Sequence, residues 1–325
     1  MKRKYLVLLT LLAMSLSTTC FSQYYGGQAT YWKNKRHSVG FGLGASFFLG
    51  ELGGRDQIGS DFVYDLEWSK TRPALQVNYR YQMGSRFFAK AQFAFTYIAG
   101  NDALTEEIFR RNRNLHFRSS VFELSIMGEY DVFSINPSKN NRGARRKSLL
   151  SIDFYLSAGV GVTRFNPQGN FEGDWYDLKE LGTEGQMQDD GPSEYSLFTP
   201  VIPFGMGVRL VLTEEWTVGF EVVHRLTFTD YMDDVSTVYY DNDIINETQG
   251  ELAAFFADPS LGYFVDTNGD RVPLNSTETG FQRGDPEDND AYFFAVFNAY
   301  YKIPQKRFRR GRGRVTKRKR RRVVF

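Results

Sequence analysis

Cysteine is nearly absent, since the chain of 325 residues contains only Cys20. This residue lies in an amino-terminal stretch with the features of a secretory signal peptide, a basic region at 2–4 followed by a short apolar region at 5–16. We expect 1–22 to be the signal peptide, with cleavage after Ser22, which would leave the mature chain without cysteine. That expectation excludes a disulfide framework, a cysteine-based zinc cluster and a thiol nucleophile.

Long hydrophobic runs are also missing. After the signal peptide, no apolar stretch approaches the roughly 20 residues that a helix needs to span a bilayer, so only strands could cross a membrane. The hydrophobic fraction of 42% and the net charge near +2 argue against a disordered or collagen-like chain. Histidine occurs only 3 times, and the Ser, His and Asp residues suggest no catalytic triad.

Aromatic residues and glycine are abundant, at 16% of the chain and 30 residues respectively. Strands rich in both suit the lipid-facing girdles and crowded interiors of membrane barrels. A large soluble all-β domain would fit this composition equally well. The composition therefore indicates a β-rich protein and does not decide what its surface faces.

Apolar and polar residues alternate most clearly in 201–228, VIPFGMGVRLVLTEEWTVGFEVVHRLTF. Successive side chains of a strand point to opposite faces, so this stretch predicts a hairpin with one apolar and one largely polar face. The same alternation identifies six further strands. The eight predicted strands are 38–49, 73–82, 87–99, 117–130, 150–164, the two arms of 201–228 around a turn at 213–214, and 291–302.

The connections between these strands differ systematically in length. Long connections at 50–72, 100–116, 165–198 and 229–290 alternate with tight turns at 83–86 and 213–214, and only 131–149 breaks the pattern. Long loops at one end, short turns at the other and an even strand number are typical of bacterial outer-membrane barrels. The predicted fold is therefore all-β, an eight-stranded antiparallel transmembrane β-barrel over 38–302, with long extracellular loops at 165–198 and 229–290.

Charged residues of both signs fall on the inner face of the predicted strands. An eight-stranded lumen is just wide enough to be filled by side chains, so we expect these charges to pair and to close the lumen. The predicted interior charges are Arg80, Lys90, Glu123, Glu129, Asp153, Glu221 and Arg225.

The carboxyl terminus is strongly basic. From Lys302 onward the sequence holds 13 Lys or Arg residues and no acid, so subtracting 13 from the formal charge of +2 leaves −11 for the remainder. We expect the tail, 303–325, to be extended and disordered in the periplasm, on the same side of the membrane as 23–37. Its expected partner is an acidic periplasmic protein or an anionic envelope polymer, and nucleic acid is not expected for a secreted chain. The candidate partner-binding residues are Lys306, Arg307, Arg309, Arg310, Arg312, Arg314, Lys317, Arg318, Lys319, Arg320, Arg321 and Arg322.

A weak calcium candidate lies in the long acidic loop. Asp266, Asn268 and Asp270 alternate like the oxygen ligands of a calcium loop. Arg271 stands where such loops need glycine, and no bidentate acid follows at the twelfth position. An Asx-rich turn is therefore the preferred interpretation, and no metal site is predicted.

Three acids cluster where the same loop begins, at Asp230, Asp233 and Asp234. They have no activating partner that the sequence identifies, so we expect them to order the loop rather than to catalyse a reaction. The sequence accordingly predicts no catalytic residues, no cofactor and no enzyme activity.

Several longer stretches carry a family resemblance. They are SVGFGLGASFFLGEL (38–52), RNRNLHFRSSVFELSIMGEYD (111–131), WYDLKELGTEGQ (175–186) and IPFGMGVRLVLTEEWTVGFEVVHRLTFTDYMDDVSTVY (202–239). Together they resemble the PorG-like outer-membrane barrels of Bacteroidota. LGTEGQ and FTDYMDDVS are the specific parts of this resemblance, because the strands themselves are generic.

The resemblance implies a non-enzymatic barrel that links the outer membrane to a periplasmic ring like that of PorK and PorN, in type IX protein secretion and gliding. The expected role is thus that of a structural anchor, with outer-membrane lipid and such a ring as partners. An OmpA-like small porin or ligand-binding barrel is the alternative from the transport class.

Overall fold

The computed structural model describes residues 35–50, 52, 71–105, 107–135 and 151–304. The predicted signal peptide, most of the 23–37 segment and the twelve candidate residues of the basic tail, Lys306 to Arg322, lie outside the described residues.

Eight long antiparallel strands form a closed barrel. The barrel strands are β1 (His37–Leu49), β2 (Arg72–Gln82), β3 (Phe87–Asn101), β4 (His116–Ile135), β5 (Ser151–Phe171), β7 (Phe198–Val211), β8 (Trp216–Thr227) and β11 (Ala291–Ile303). The ladder runs β4-β3-β2-β1-β11-β8-β7-β5, and pairing between β5 and β4 closes it. The short β6 (Asp174–Asp177) pairs with the carboxyl-terminal end of β5. The predicted eight-stranded antiparallel barrel is confirmed.

The outer face of the barrel is apolar and its interior is charged. Ile126 is 66% exposed and Phe297 is 69% exposed on the outside, whereas the interior Lys90 has no exposed surface. Soluble proteins show the opposite distribution, because charged side chains are almost never fully buried in them unless they are paired. This inversion is the pattern of a barrel whose outer face contacts lipid.

Glycine makes room inside the barrel at two positions where large rings lie against the wall. A Cβ atom on Gly207 would come within 2.4 Å of the Tyr155 ring, and one on Gly40 would come within 2.4 Å of the Tyr300 ring. Both tyrosines are buried in the lumen. The glycines on the inner face of β1 and β7 therefore allow a narrow lumen to hold bulky side chains.

The strands β4 and β5 are longer than predicted. β5 continues to Phe171 instead of ending at 164, so the predicted loop 165–198 begins as a strand. The outward positions of this part of β5 are polar and not apolar. Asn166 and Gln168 occupy two of them, and both donate to Asp177 Oδ1, at 2.8 and 2.7 Å. Where a strand extends beyond the lipid, its outward side chains meet water or polar partners. The apolar alternation therefore ends before the strand does.

The long connections fold into a cap at this end of the barrel, which we call the cap end. The cap contains α1 (Ile108–Arg113), α2 (Asn242–Gln249), α3 (Glu251–Ala257), two 3-10 turns, and the small hairpin of β9 (Tyr263–Val265) and β10 (Arg271–Pro273). Turns 83–86 and 212–215, the start of β1 and the end of β11 lie at the opposite end, the short-turn end.

An apolar core joins the cap to the barrel. Met232, Val235 and Phe256 of the cap belong to the same buried cluster as Val121 and Phe165 of the strands. The sequence predicts 229–290 as a long acidic extracellular loop, and the structure packs it against the cap end of the barrel. Its aromatic and aliphatic residues supply the buried side chains that hold it there. None of the described helices is long and apolar enough to span a bilayer.

Candidate functional site

An ion-pair network occupies the half of the lumen nearest the short-turn end. Lys90 Nζ lies 2.9 Å from Glu221 Oε2 and 3.4 Å from Glu129 Oε1. Arg209 donates to Glu129 Oε2 at 2.5 Å and also pairs with Asp131. These groups come from β3, β4, β7 and β8, so the network ties opposite walls of the barrel together.

Aromatic rings and amides complete this network. Tyr155 donates its hydroxyl proton to Glu221 Oε2 at 2.8 Å, and the Arg209 guanidinium carbon lies 4.1 Å from the centre of the Tyr155 ring. Arg80 lies 4.3 Å from the centre of the Tyr300 ring and 3.6 Å from Glu129. Each buried charge therefore has opposite charges, hydrogen bonds or aromatic faces around it, as burial requires.

A second ion pair lies in the lumen nearer the cap end. Arg225 Nε donates to Glu123 Oε2 at 2.9 Å, and Tyr292 donates to the same oxygen at 2.9 Å. The Arg225 guanidinium carbon lies 3.8 Å from the centre of the Phe294 ring. Phe294 belongs to the apolar core beneath the cap, so the polar lumen passes directly into the apolar core.

Six of the seven predicted interior charges are buried inside the barrel: Arg80, Lys90, Glu123, Glu129, Glu221 and Arg225. Asp153 is only half-buried, near the start of β5, where it accepts a hydrogen bond from Ser151 at 2.8 Å. The structure thus places six of these residues in two networks and leaves Asp153 at the rim.

Sequence reasoning missed two members of the network. Arg209 lies on the same polar face of the 201–228 hairpin as Glu221 and Arg225, so the alternation could have identified it. Asp131 lies one residue beyond the predicted end of β4, at the start of the predicted 131–149 connection. It continues the inward positions of Glu123 and Glu129, so extending the alternation by one residue identifies it, and the register shift lies beyond it, between Asp131 and Phe133.

The cap contains a separate buried polar cluster. Arg283 Nη1 donates to Glu184 Oε1 at 2.8 Å and to the Asp234 backbone oxygen at 2.7 Å. Asp234 accepts hydrogen bonds from the Tyr195 and Thr183 hydroxyls, both at 2.6 Å. The LGTEGQ and FTDYMDDVS motifs therefore lie against each other, and Arg283 forms hydrogen bonds with both. We call these residues, with Asp230 and Asp233, the cap cluster.

Burial changes the titration of the cap acids. It raises the pKa of Asp230 to about 8, with the negative charges of Asp233 and Glu184 adding to the effect. Burial likewise raises the pKa of Asp233 to about 7 and that of Asp234 to about 6, although Arg283 opposes the shift at Asp234. Asp233 accepts from the backbone N–H groups of Leu52 at 3.2 Å and Val235 at 3.1 Å, and Asp234 accepts from two hydroxyls, whereas both carboxylate oxygens of Asp230 are buried without a hydrogen-bond partner among the described residues.

The calcium candidate forms a turn at the tip of the β9–β10 hairpin. Asp266 Oδ1 accepts from the backbone N–H groups of Asn268 at 2.9 Å and Asp270 at 2.8 Å. The Asn268 side chain donates to the other carboxylate oxygen at 3.2 Å. Both oxygens of Asp266 are engaged within the turn. Across the described ranges, no group of three or more His, Cys, Asp and Glu side chains could hold a metal ion.

Comparison with known proteins identifies a family and several similar folds. A family model described as a domain of unknown function, DUF6089, matches residues 28–249. No curated protein sequence matches the chain.

Solved structures with a similar fold include the attachment invasion protein Ail of Yersinia pestis, with 8% identity, a TM-score of 0.33 and coverage of 83% of this chain and 99% of Ail. Neisserial surface protein A has 7% identity, a TM-score of 0.35 and coverage of 82% and 96%. The outer membrane protein OprG of Pseudomonas aeruginosa has 9% identity, a TM-score of 0.31 and coverage of 83% and 98%. At these values the likeness says nothing about function.

Breaking the lower network should destabilise the barrel. In Lys90→Met, Glu221 and Glu129 stay buried without their ammonium partner, so we expect the free energy of unfolding to fall by about 3–5 kcal/mol. The double variant Lys90→Met with Glu221→Gln removes one uncompensated charge and should recover much of that loss. Urea unfolding in lipid vesicles, followed by the gel mobility of the folded barrel, measures both.

The exposed pair of Lys179 and Glu194, 3.8 Å apart, provides the control. Lys179→Met should change the free energy of unfolding by less than about 1 kcal/mol. If Lys90→Met were as stable as the unsubstituted barrel, the network would not stabilise the fold.

The cap should loosen as the pH rises. The pKa of Asp230 is about 8 in the folded protein and about 4 in an unfolded chain. Protonated Asp230 therefore stabilises the cap fully below pH 4, and this stabilisation is lost as the pH rises toward 8. Hydrogen exchange of 229–240, corrected for intrinsic exchange rates, should show more frequent opening at pH 8 than at pH 5.

Asp230→Asn keeps the shape of the side chain and removes its charge, so it should reduce the pH dependence of opening and protect the segment at pH 8. The exposed Asp288→Asn is the matched control and should leave the dependence unchanged. A steep pH dependence that persists in Asp230→Asn would assign it to other groups.

Proposed function

This chain belongs to the DUF6089 family of domains of unknown function, and from its geometry we propose that it is a non-enzymatic outer-membrane barrel that anchors a periplasmic assembly. The closed lumen is the observation that carries this proposal. Lys90, Glu123 and Arg225 have no exposed surface, and the apolar core of the cap covers the upper pair. A closed interior suits a barrel whose two ends, rather than its lumen, perform its function.

The apolar outer face supports the location. Every barrel strand pairs on both sides, so the ladder satisfies its own backbone hydrogen bonds, as a segment in lipid must. The exposed Trp216 and the half-buried Tyr301 lie close to the short-turn end, at a position that suits an interface with water. An eight-stranded barrel with these properties fits the bacterial outer membrane.

Charge supports an orientation and a kind of partner. Loops 165–198 and 229–290 together hold 23 Asp or Glu and 3 Lys or Arg. The sequence that links Ile135 to Ser151 holds 5 Lys or Arg and no acid, and the sequence from Lys302 onward holds 13 and no acid. We infer that the acidic cap faces outward and that the basic segments face the periplasm, where they bind an acidic protein or an anionic envelope polymer.

The resemblance to PorG-like barrels makes this proposal more specific. On that basis the partner is a ring like that of PorK and PorN, and the barrel anchors a type IX secretion or gliding machine. The two motifs that carry the resemblance, LGTEGQ and FTDYMDDVS, meet in the cap cluster around Arg283. The two motifs thus belong to one structural unit, which supports the proposal that PorG-like barrels share the fold of this cap.

The closed lumen should not conduct ions. In planar bilayers we expect no steady single-channel current from the full-length mature protein, because paired side chains and the cap occupy the path. A porin inserted in the same bilayers is the positive control. A reproducible open-channel current would favour the transport alternative over the anchor.

The basic tail should carry partner binding. Replacing the Lys and Arg residues of 306–322 with Gln removes the charge and keeps the length, so recovery of the periplasmic partner after cross-linking in cells should fall by about ten-fold or more. A tail with the same residues in scrambled order retains the charge and is the matched control. Undiminished recovery with the Gln tail would exclude the tail as the docking element.

A further inference from the structure

The outward face of the barrel strands carries very little charge. Among the outward positions of the eight barrel strands that the structure describes, only Arg118 and Arg164 hold Asp, Glu, Lys or Arg. Both residues are basic, and both lie toward the cap end on the neighbouring strands β4 and β5. The wall of the barrel therefore has one basic region, which we call the arginine patch: Arg118 and Arg164 with the polar residues between them, Ser120, Asn166 and Gln168.

Arg164 lies at the boundary of the apolar band. The ladder places it between Phe122 and Phe198, and both of these aromatic side chains are exposed on the outer face. Two residues away on β5, toward the middle of the strand, the exposed Val162 belongs to the apolar band, whereas Asn166 on the cap side is polar. The guanidinium of Arg164 therefore lies at the level of the lipid headgroups on the cap side of the membrane.

Arg164 has no partner within the described part of the chain. Its side chain is exposed and forms no hydrogen bond, ion pair or ring contact with any described residue. The lumen arginines Arg209 and Arg225, in contrast, are paired with carboxylates. All five N–H donors of the Arg164 guanidinium are therefore available to a ligand outside the barrel.

Arg118 adds a second positive charge in a fixed position. Its Nε donates to Gln168 Oε1 at 3.1 Å, and its guanidinium carbon lies 3.8 Å from the centre of the Trp175 ring. It lies four residues from Arg164 along the ladder, which is about 13 Å at roughly 3.3 Å per residue. An acid of β6 on this side, Asp177, accepts from two amide side chains of β5 and forms no ion pair with either arginine.

We propose that the arginine patch binds lipid A, the phosphorylated glycolipid of the outer leaflet, with one phosphate on Arg164. This inference rests on the proposed membrane location and orientation. A guanidinium can donate two parallel hydrogen bonds to one phosphate. The acyl chains of the same molecule would lie along Phe122, Val162 and Phe198, and its headgroup would extend over the polar positions toward Arg118.

The surroundings of Arg164 favour a lipid over the other possible occupants. A free anion would make no use of the exposed Phe122 and Phe198 on either side of the arginine. A symmetric contact between two copies joins the same patch of each copy, so it would bring the arginines of both together and be opposed by their repulsion.

The test uses the full mature chain in a non-ionic detergent, titrated with diphosphorylated lipid A and measured by native mass spectrometry. We expect one lipid to bind saturably. Arg164→Gln removes the phosphate ligand and should raise the dissociation constant by about ten-fold or more. Arg164→Lys keeps the charge without the paired N–H donors and should have a smaller effect.

Arg271→Gln is the matched control. Arg271 is an exposed arginine of the cap hairpin, outside the barrel wall, and its guanidinium carbon lies 4.5 Å from the centre of the Tyr263 ring. The substitution removes the same charge from the protein, so the affinity for lipid A should not change.

The other outcomes are separable. Equal affinity of the unsubstituted barrel and Arg164→Gln would overturn the arginine patch as the site while leaving the barrel in its membrane. Equal binding of dephosphorylated lipid A, or displacement of lipid A by inorganic phosphate at the same concentration, would overturn recognition of a phosphorylated lipid. A dimer that Arg164→Gln dissociates would assign the patch to a second copy. A mature chain that folds as a soluble monomer without lipid or detergent would overturn the proposed membrane function itself.

Discussion

Closure of the β-ladder is the constraint on which the other features depend. Eight strands joined into a ring leave every strand with two neighbours, so each residue faces either the lumen or the outside. With eight strands the lumen holds side chains and little else. Once the outer face is apolar, all polar and charged side chains of the strands must share that narrow interior. The ion-pair networks are the consequence.

The buried charges balance within the described lumen. Four cations, Arg80, Lys90, Arg209 and Arg225, accompany four acids, Glu123, Glu129, Asp131 and Glu221. Removing such groups from water costs several kcal/mol each, and only mutual attraction with good geometry offsets that cost. The shared partners offset it here, because Glu129 lies near three cations and Lys90 near two acids. The interior charges therefore link strands across the lumen and close it.

The sequence predicted the strands well because alternation is a local signal. Lys90 and Glu221 could be assigned to the interior from their neighbours alone, and Arg209 carried the same signal. The ends of β4 and β5 could not, because a register shift beyond Asp131 and the polar partner of Asn166 interrupt the apolar alternation. The cap was less predictable still. Glu184 and Arg283 are 99 residues apart in sequence, and nothing local indicates that they meet.

Acidic and basic residues are distributed unequally along the chain, and the acidic residues are concentrated in the cap. At the cap end, the acids of the cap cluster, Glu184, Asp230, Asp233 and Asp234, are buried together, and burial raises the pKa values of the three aspartates. The basic residues are concentrated instead in 136–150 and in the sequence from Lys302 onward. A dense basic sequence attracts anionic partners through the field of its charges. This charge asymmetry is the reason that we propose a partner on the periplasmic side rather than at the cap.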